Sequence, residues 1–310
     1  MNRQNEVPVL LMAFIRPDLL KKSLDQLVKL APSVMYVAID GPRNEHEEGL
    51  VKKCRTLALN PEWDCQIIPL FRDENIGLVQ SFLQGMNKMF SEHEFGIFLE
   101  DDVLLSPSFY KFAHELLIRY RDNNNVGHIN ASNFLPNFSP KNNRISYLFS
   151  NHPHVWGFAT WKRMWESYDL NMPAWKTTDQ QKLLNEHCFS NREKASLKHL
   201  FDLHCENNDP WACDYQWIFN CLNKKALSIT PKENMSLNIG FERIDSTHTI
   251  SSNPHANLLE ECTFPLLHPN RIERDLDYDK ALSHKLCPST SSVIVGKIKN
   301  KFSKLFFGQK

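Results

Sequence analysis

Over its first 125 residues the chain alternates short apolar runs with stretches whose apolar residues recur at helical spacing. That alternation constrains the fold most, because strands buried on both faces and joined by amphipathic helices are what a mostly parallel sheet requires. Pro8 to Phe14, Val34 to Ile39, Cys65 to Leu70 and Phe95 to Leu99 read as strands, bounded by turn chemistry such as Asp40-Gly41-Pro42. Pro17 opens a helix with Leu20, Leu24, Leu27 and Val28 on one face, and Gly77 precedes a second with Leu78, Phe82, Met86 and Met89. Ser106-Pro107 reads as an N-cap followed by a first-turn proline, with Phe109, Phe112, Ala113, Leu116 and Leu117 turned inward. The expected fold is α/β, a mostly parallel central sheet flanked by helices.

From about residue 126 the texture becomes Asn-rich and aromatic. Residues 180–206 and 211–223 are expected to be helical, and Thr230 to Thr249 to form a loop or a short hairpin. Residues 1–125 and 126–255 are expected to be two halves of one domain, and 256–310 a C-terminal extension. A Ser/Thr-rich linker near Pro288 to Ser292 leads to a basic tail with Ile298, Phe302, Leu305 and Phe306 at helical spacing. That tail reads either as a peripheral contact for an anionic membrane or as a disordered solubilising end.

Lysine plus arginine and aspartate plus glutamate balance at 36 each, so no global field favours nucleic acid as a partner. The eight cysteines contain no CxxC pair, which disfavours a zinc ribbon or a disulfide framework and favours a reducing compartment. Near the N-terminus only Val7 to Ile15 is apolar, too short to span a membrane and without a cleavage site. A cytoplasmic location is expected, with the tail available to the inner face of the cell membrane.

One feature points to chemistry. The run Phe95-Gly96-Ile97-Phe98-Leu99 ends in Glu100-Asp101-Asp102, which sets three carboxyls at the carboxyl edge of a sheet, where open α/β folds bind ligands. Repulsion makes the arrangement costly without a cation. Hard oxygen donors suit Mg²⁺ or Mn²⁺ bridging the phosphates of a nucleotide diphosphate. The residues alone fit a solvated turn equally well.

Four blocks in order tip the reading: Phe14-Ile15-Arg16-Pro17, Ile39-Asp40-Gly41-Pro42-Arg43, Glu100-Asp101-Asp102, and Val155-Trp156-Gly157-Phe158-Ala159-Thr160-Trp161, with a weaker fifth in Trp211-Ala212-Cys213-Asp214-Tyr215-Gln216-Trp217. Across residues 7 to 250 they resemble glycosyltransferases of the A-type (GT-A) fold, above all the N-acetylglucosaminyltransferase I family and related bacterial family 2-like glycosyltransferases. The resemblance implies a metal-dependent, inverting transfer from a nucleotide-diphosphate sugar, UDP favoured, to a glycan or lipid-linked acceptor in polysaccharide or glycoconjugate biosynthesis.

It further implies that Arg16 and Asp40 serve the nucleotide end of the donor. Asp102 would bind the metal, Asp101 the ribose or the outer shell, and Glu100 would touch the donor or orient its neighbours. An arginine fork suits phosphate oxygens, and an aspartate can accept an imide N–H of the base. Arg72 is either a further donor contact or the partner of Asp73 or Glu74. Asp214 matches the family's general base, which removes the acceptor hydroxyl's proton, although Cys213 stands where a second acid often sits. His248, in a segment resembling the family's late donor-covering loop, is either a second metal ligand or a bystander. Trp156 and Gly157 are assigned to the acceptor, whereas Trp161 and Trp165 are assigned to the core. His152 and His154 lack the further ligands a metal centre needs.

Two other readings fit the same sheet. A sugar-nucleotidyltransferase would carry a glycine-rich phosphate loop near the N-terminus, which Phe14 to Pro17 lacks. A non-catalytic sugar- or nucleotide-binding subunit of a polysaccharide assembly complex would not need Asp214.

Overall fold

A computed structural model of the chain describes residues 6–136, 138, 144–206, 212–241, 243 and 258–287. The first half runs β1 (Val9–Ala13), α1 (Pro17–Leu30), β2 (Val34–Ile39), α2 (Glu45–Leu59), β3 (Gln66–Phe71), α3 (Leu78–Glu92), β4 (Phe95–Glu100), β5 (Val103–Leu105) and α4 (Pro107–Arg119). The second runs β6 (Val126–Asn130), β7 (Tyr147–Ser150), β8 (Phe158–Trp161), α5 (Lys162–Trp165), α6 (Pro173–Thr177), α7 (Gln180–His187), α8 (Asn191–Glu206), α9 (Asp214–Asn223), β9 (Leu227–Pro231), β10 (Ser236–Asn238) and α10 (Leu276–Leu286).

Eight strands form one mixed sheet in the order β3-β2-β1-β4-β8-β6-β9-β7. β1, β2, β3 and β4 are parallel, and β8 and β7 run against their neighbours. β5 and β10 make a separate two-stranded ribbon beside the main sheet. The sheet is buried on both faces because its strands alternate two apolar sets. Val9, Leu11, Met35, Val37, Ile97 and Leu99 face α1, α2 and α4. Leu10, Met12, Tyr36, Ala38 and Phe98 face α3, α5 and α9. The helices α6, α7 and α8 close a further cluster around Trp175, Phe201 and Phe219.

Segment 258–287 lies against the sheet's last edge. Phe149 of β7 bridges to Arg274, and Arg274 pairs with the fully buried Asp279, whose other carboxylate oxygen accepts from Ser150.

Several boundaries depart from the sequence expectation. The stretch 180–206 is two helices, because the chain turns at Cys188 and the Glu193 carboxylate takes the Phe189 N–H at 2.7 Å. The helix expected over 211–223 begins at Asp214. Ser106 precedes α4 but its hydroxyl makes no capping bond; the first-turn Ser108 N–H is taken instead by Glu261 at 2.9 Å. Thr230 to Thr249, expected as a loop or a short hairpin, instead holds the end of β9 and the whole of β10, which pairs with β5, and only its residues to 241 and 243 are described.

Candidate functional site

The parallel strands β1, β2 and β4 end side by side, and the turns that follow them carry Arg16, Asp40 and the acidic triplet. The backbone of the triplet is clamped: the buried Ser23 hydroxyl of α1 donates to the carbonyls of Asp101 at 2.8 Å and Val103 at 3.2 Å. Arg16, at the N-cap of α1, forks across the pair. Its Nη1 donates to Asp102 Oδ2 at 3.0 Å and its Nη2 to Asp101 Oδ1. Burial works against the guanidinium's charge, but Asp101 and Asp102 outweigh it and raise its pKa.

One guanidinium cannot neutralise three carboxyls. Burial pushes Asp101 up to about 7, with Arg16 pulling down and Asp102 pushing up. Glu100, the last residue of β4, is half-buried. Burial first, then Asp102 and Asp101, push its carboxyl up to about 8; Arg16 works the other way, and Asp214 adds to the rise. Asp101 Oδ2 and Asp102 Oδ1 are buried without a hydrogen-bond partner. Such orphaned acceptors are what a cation would satisfy. Among the described residues no three His, Cys, Asp or Glu side chains converge as a closed metal centre. The donor set fits a Mg²⁺-like ion held by one or two carboxylates and completed by substrate phosphates.

A short strap crosses Asp102. Ile239 N–H donates to its carbonyl at 2.7 Å, and a Cβ on Gly240 would come within 2.3 Å of Asp102 Oδ2, so only glycine fits there. Phe241 meets Trp156 edge-on at 5.5 Å, and Arg243 pairs with Asp18 at 2.7 Å. Gly240 and Phe241 belong to the run Asn238 to Thr249 that resembles a late donor-covering loop, but their contacts with Asp102 and Trp156 are not legible in its local spacing. His248 lies outside the described residues.

Asp214 opens α9, where its Oδ1 accepts its neighbour Tyr215's N–H at 3.0 Å. It lies near enough to Glu100 for its charge to add, least of the causes, to the rise of that carboxyl. Between them Cys213 is kept a neutral thiol: burial, then Asp214 and Glu100, push its pKa well up. The helix is fixed by Trp217, whose indole stacks on Phe158 and donates to His128 Nδ1 at 3.0 Å; His128 Nε2 in turn bonds the His154 carbonyl. Burial pushes His128 down to about 3.

Trp156 is half-buried between Phe134 and Phe241. Gly157 adopts φ +73° where a side chain would strike Leu105, so the turn into β8 requires glycine. Trp161 and Trp165 are core residues, bonded to the Leu117 carbonyl and to Asn87. His154 stacks on Phe134 at 4.1 Å and lies near Ser132.

Two donor assignments look different in three dimensions. The Asp40 carboxylate is turned inward and accepts the backbone N–H groups of Gly41, Ile76 and Gly77, at 2.8 to 3.1 Å. It staples two loops, and both oxygens are already taken. Arg72 pairs with neither Asp73 nor Glu74 among the described residues; its guanidinium bonds the Leu70 carbonyl, Ser81 and Gln84 on the α3 side.

No family model and no curated protein matches the chain. Among solved structures, 4-diphosphocytidyl-2C-methyl-D-erythritol synthase from Anaerococcus prevotii and the apo form of mouse xyloside xylosyltransferase 1 each overlap it at a TM-score of 0.33 with 10% identity. Each overlap covers 71% of this chain, with 99% of the first protein and 83% of the second. A likeness that slight carries no argument about what this chain does.

Proposed function

We propose that the chain is an inverting glycosyltransferase of the GT-A type, akin to the N-acetylglucosaminyltransferase I family, that takes a sugar from a nucleotide-diphosphate donor. UDP is the favoured carrier, and a glycan or lipid-linked molecule is the acceptor. The observation that carries this reading is the pair of orphaned buried oxygens on Asp101 and Asp102 at the carboxyl edge of the parallel strands, with Asp214 near enough for its charge to reach Glu100. Asp101 and Asp102, each with a free buried oxygen, are the residues to hold Mg²⁺ or Mn²⁺ beside the diphosphate. A bound ion would act there as a Lewis acid on the leaving group. Arg16 offers the planar fork that phosphate oxygens accept. Asp214 takes the proton of the attacking hydroxyl, and Trp156 gives the acceptor ring an apolar face beside it.

A panel of nucleotide sugars, scored for nucleotide release with and without Mn²⁺ in the presence of candidate acceptors, tests the class, donor and metal together. Mn²⁺-stimulated release from a UDP-sugar is expected. Asp214→Asn should lower transfer by about 10²-fold or more while donor binding persists; full transfer by that variant rejects Asp214 as base. No release from any donor, with nucleotide binding intact, points instead to a binding subunit.

Among the described residues no helix is long and apolar enough to cross a membrane. The basic tail lies outside the described residues. Contact of that tail with anionic lipid is part of the proposal, and vesicle co-sedimentation with and without residues 288–310 tests it.

A further inference from the structure

Arg16 does two incompatible things if it also serves the donor. In this structure it is committed to Asp101 and Asp102, with a side chain 20% exposed. These are the same two carboxylates whose remaining oxygens, Asp101 Oδ2 and Asp102 Oδ1, are buried and unpartnered. A divalent ion reaching those oxygens would face a fixed positive charge on the opposite sides of the same two groups. Like charges held on opposite sides of two buried carboxylates repel strongly.

We propose that Arg16 and a divalent cation compete for the Asp101–Asp102 pair, and that loading the cation releases the guanidinium toward the donor's diphosphate. The inference rests on the metal and donor reading given above.

Which partner moves is set by what surrounds the pair. The backbone of Asp101 to Val103 is held by Ser23 and by the Ile239 N–H. Asp102 Oδ2 has Gly240 against it, the one residue whose lack of a side chain leaves the carboxylate its place. Arg16 is tied only at its backbone, where its carbonyl accepts from Leu20 N–H at 3.0 Å as α1 begins. Among the described residues its guanidinium bonds nothing but the two aspartates. A long side chain on a fixed root is therefore the mobile element. Once released, its planar fork meets phosphate oxygens as readily as carboxylate oxygens. The arginine thus offsets part of the pair's charge and becomes available when the ion arrives, which orders the binding: cation first, then diphosphate.

The test is Mn²⁺ affinity of the full chain without nucleotide, read by the paramagnetic resonance of free Mn²⁺, for the parent, Arg16→Gln, Arg16→Lys and Asp102→Ala. Competition predicts that Arg16→Gln binds Mn²⁺ about tenfold tighter or more and that Arg16→Lys, which keeps the charge but loses the fork, lies between. Asp102→Ala should lose the site. Simple structural damage at Arg16 would weaken Mn²⁺ binding, so the sign of the change is diagnostic. If Arg16→Gln fails to fold by circular dichroism, Arg16→Lys carries the test alone, with a threefold gain expected. Equal Mn²⁺ affinity in the parent and the Arg16 variants, abolished by Asp102→Ala, overturns the competition and leaves the metal reading standing. No Mn²⁺ binding in any of them, with UDP still bound, overturns both.

Discussion

Two sets of buried carboxylates follow parallel strands of the sheet, Asp40 after β2 and Asp101-Asp102 after β4, with β1 between the two strands. They are solved in opposite ways. Asp40 is finished: three backbone N–H groups fill both its oxygens. Asp101 and Asp102 are unfinished, each with one oxygen on Arg16 and one on nothing. In the proposed reading, folding completes the first and leaves the second to a cation, since a buried acceptor without a partner calls for a role or a ligand.

The comparison can be broken most directly at Asp40. Asp40→Ala would strand three backbone donors, at about 1 to 3 kcal/mol for a buried group left unsatisfied, so a loss of about 3 to 5 kcal/mol is expected in urea unfolding. A loss below about 1 kcal/mol would show that Asp40 is no staple and return it to the list of donor contacts.

A second satisfied group, His128, sharpens the contrast through pH. Its pKa falls from 6.5 to about 3 on folding, so its contribution to stability is complete above pH 6.5 and is lost as pH falls toward 3. Between pH 7 and pH 4 that amounts to about 3 kcal/mol, at 1.36 kcal/mol per unit. Glu100 and Asp101, whose pKa values rise on folding, tilt the curve the other way. The informative quantity is therefore the parent minus His128→Gln, followed by thermal unfolding across that range. A difference independent of pH would remove His128 as the titrating group.

Gly240→Ala comes next. It forces a methyl against the Asp102 carboxylate and should cost about 1 to 3 kcal/mol as overpacking, together with weakened Mn²⁺-dependent nucleotide binding. Stability and binding both unchanged would mean that the strap does not press on Asp102. The smallest effect is expected from Asp102→Asn: Asp101 still faces Arg16 and the like-charge push on Glu100 and Asp101 is relieved, so unfolding stability should stay within about 1 kcal/mol of the parent while the metal's effect on UDP affinity is abolished. A large destabilisation would place Asp102 with Asp40, as part of the scaffold.

Much of the first half was legible because its residues obey one period at a time. Val34–Ile39 matches its expected strand at both ends, and α1, α3 and α4 begin at the proline or just after the glycine that marked them. The exceptions are α2 and the three-residue β5, neither of which the sequence announced: along the fifteen residues of α2 only Glu47, Val51, Cys54 and Ala58 are buried, too thin a stripe to read. The strands β6 to β9 were hidden for a different reason. Their buried positions include His128, Asn130, Ser150, Thr160, Ser228 and Thr230, polar groups mostly bonded to other chain segments and invisible to a hydropathy pattern.

The site divides along the same line. Three acids after an apolar run mark a sheet edge in any sequence. That Arg16 reaches two of them depends on β1 lying beside β4, and that Asp40 is already occupied depends on a turn 36 residues further along. Local spacing carries neither fact.

The bond from Trp217 through His128 to the His154 carbonyl has one more consequence. Trp217 lies three residues beyond Asp214, and His154 two residues before Trp156. The relay is therefore a gauge that fixes the gap between the proposed base and the aromatic platform. In a transferase of the kind proposed, that gap selects which hydroxyl of a docked sugar ring comes within reach of the carboxylate. Regiochemistry would then be governed by a buried histidine that never meets the substrate.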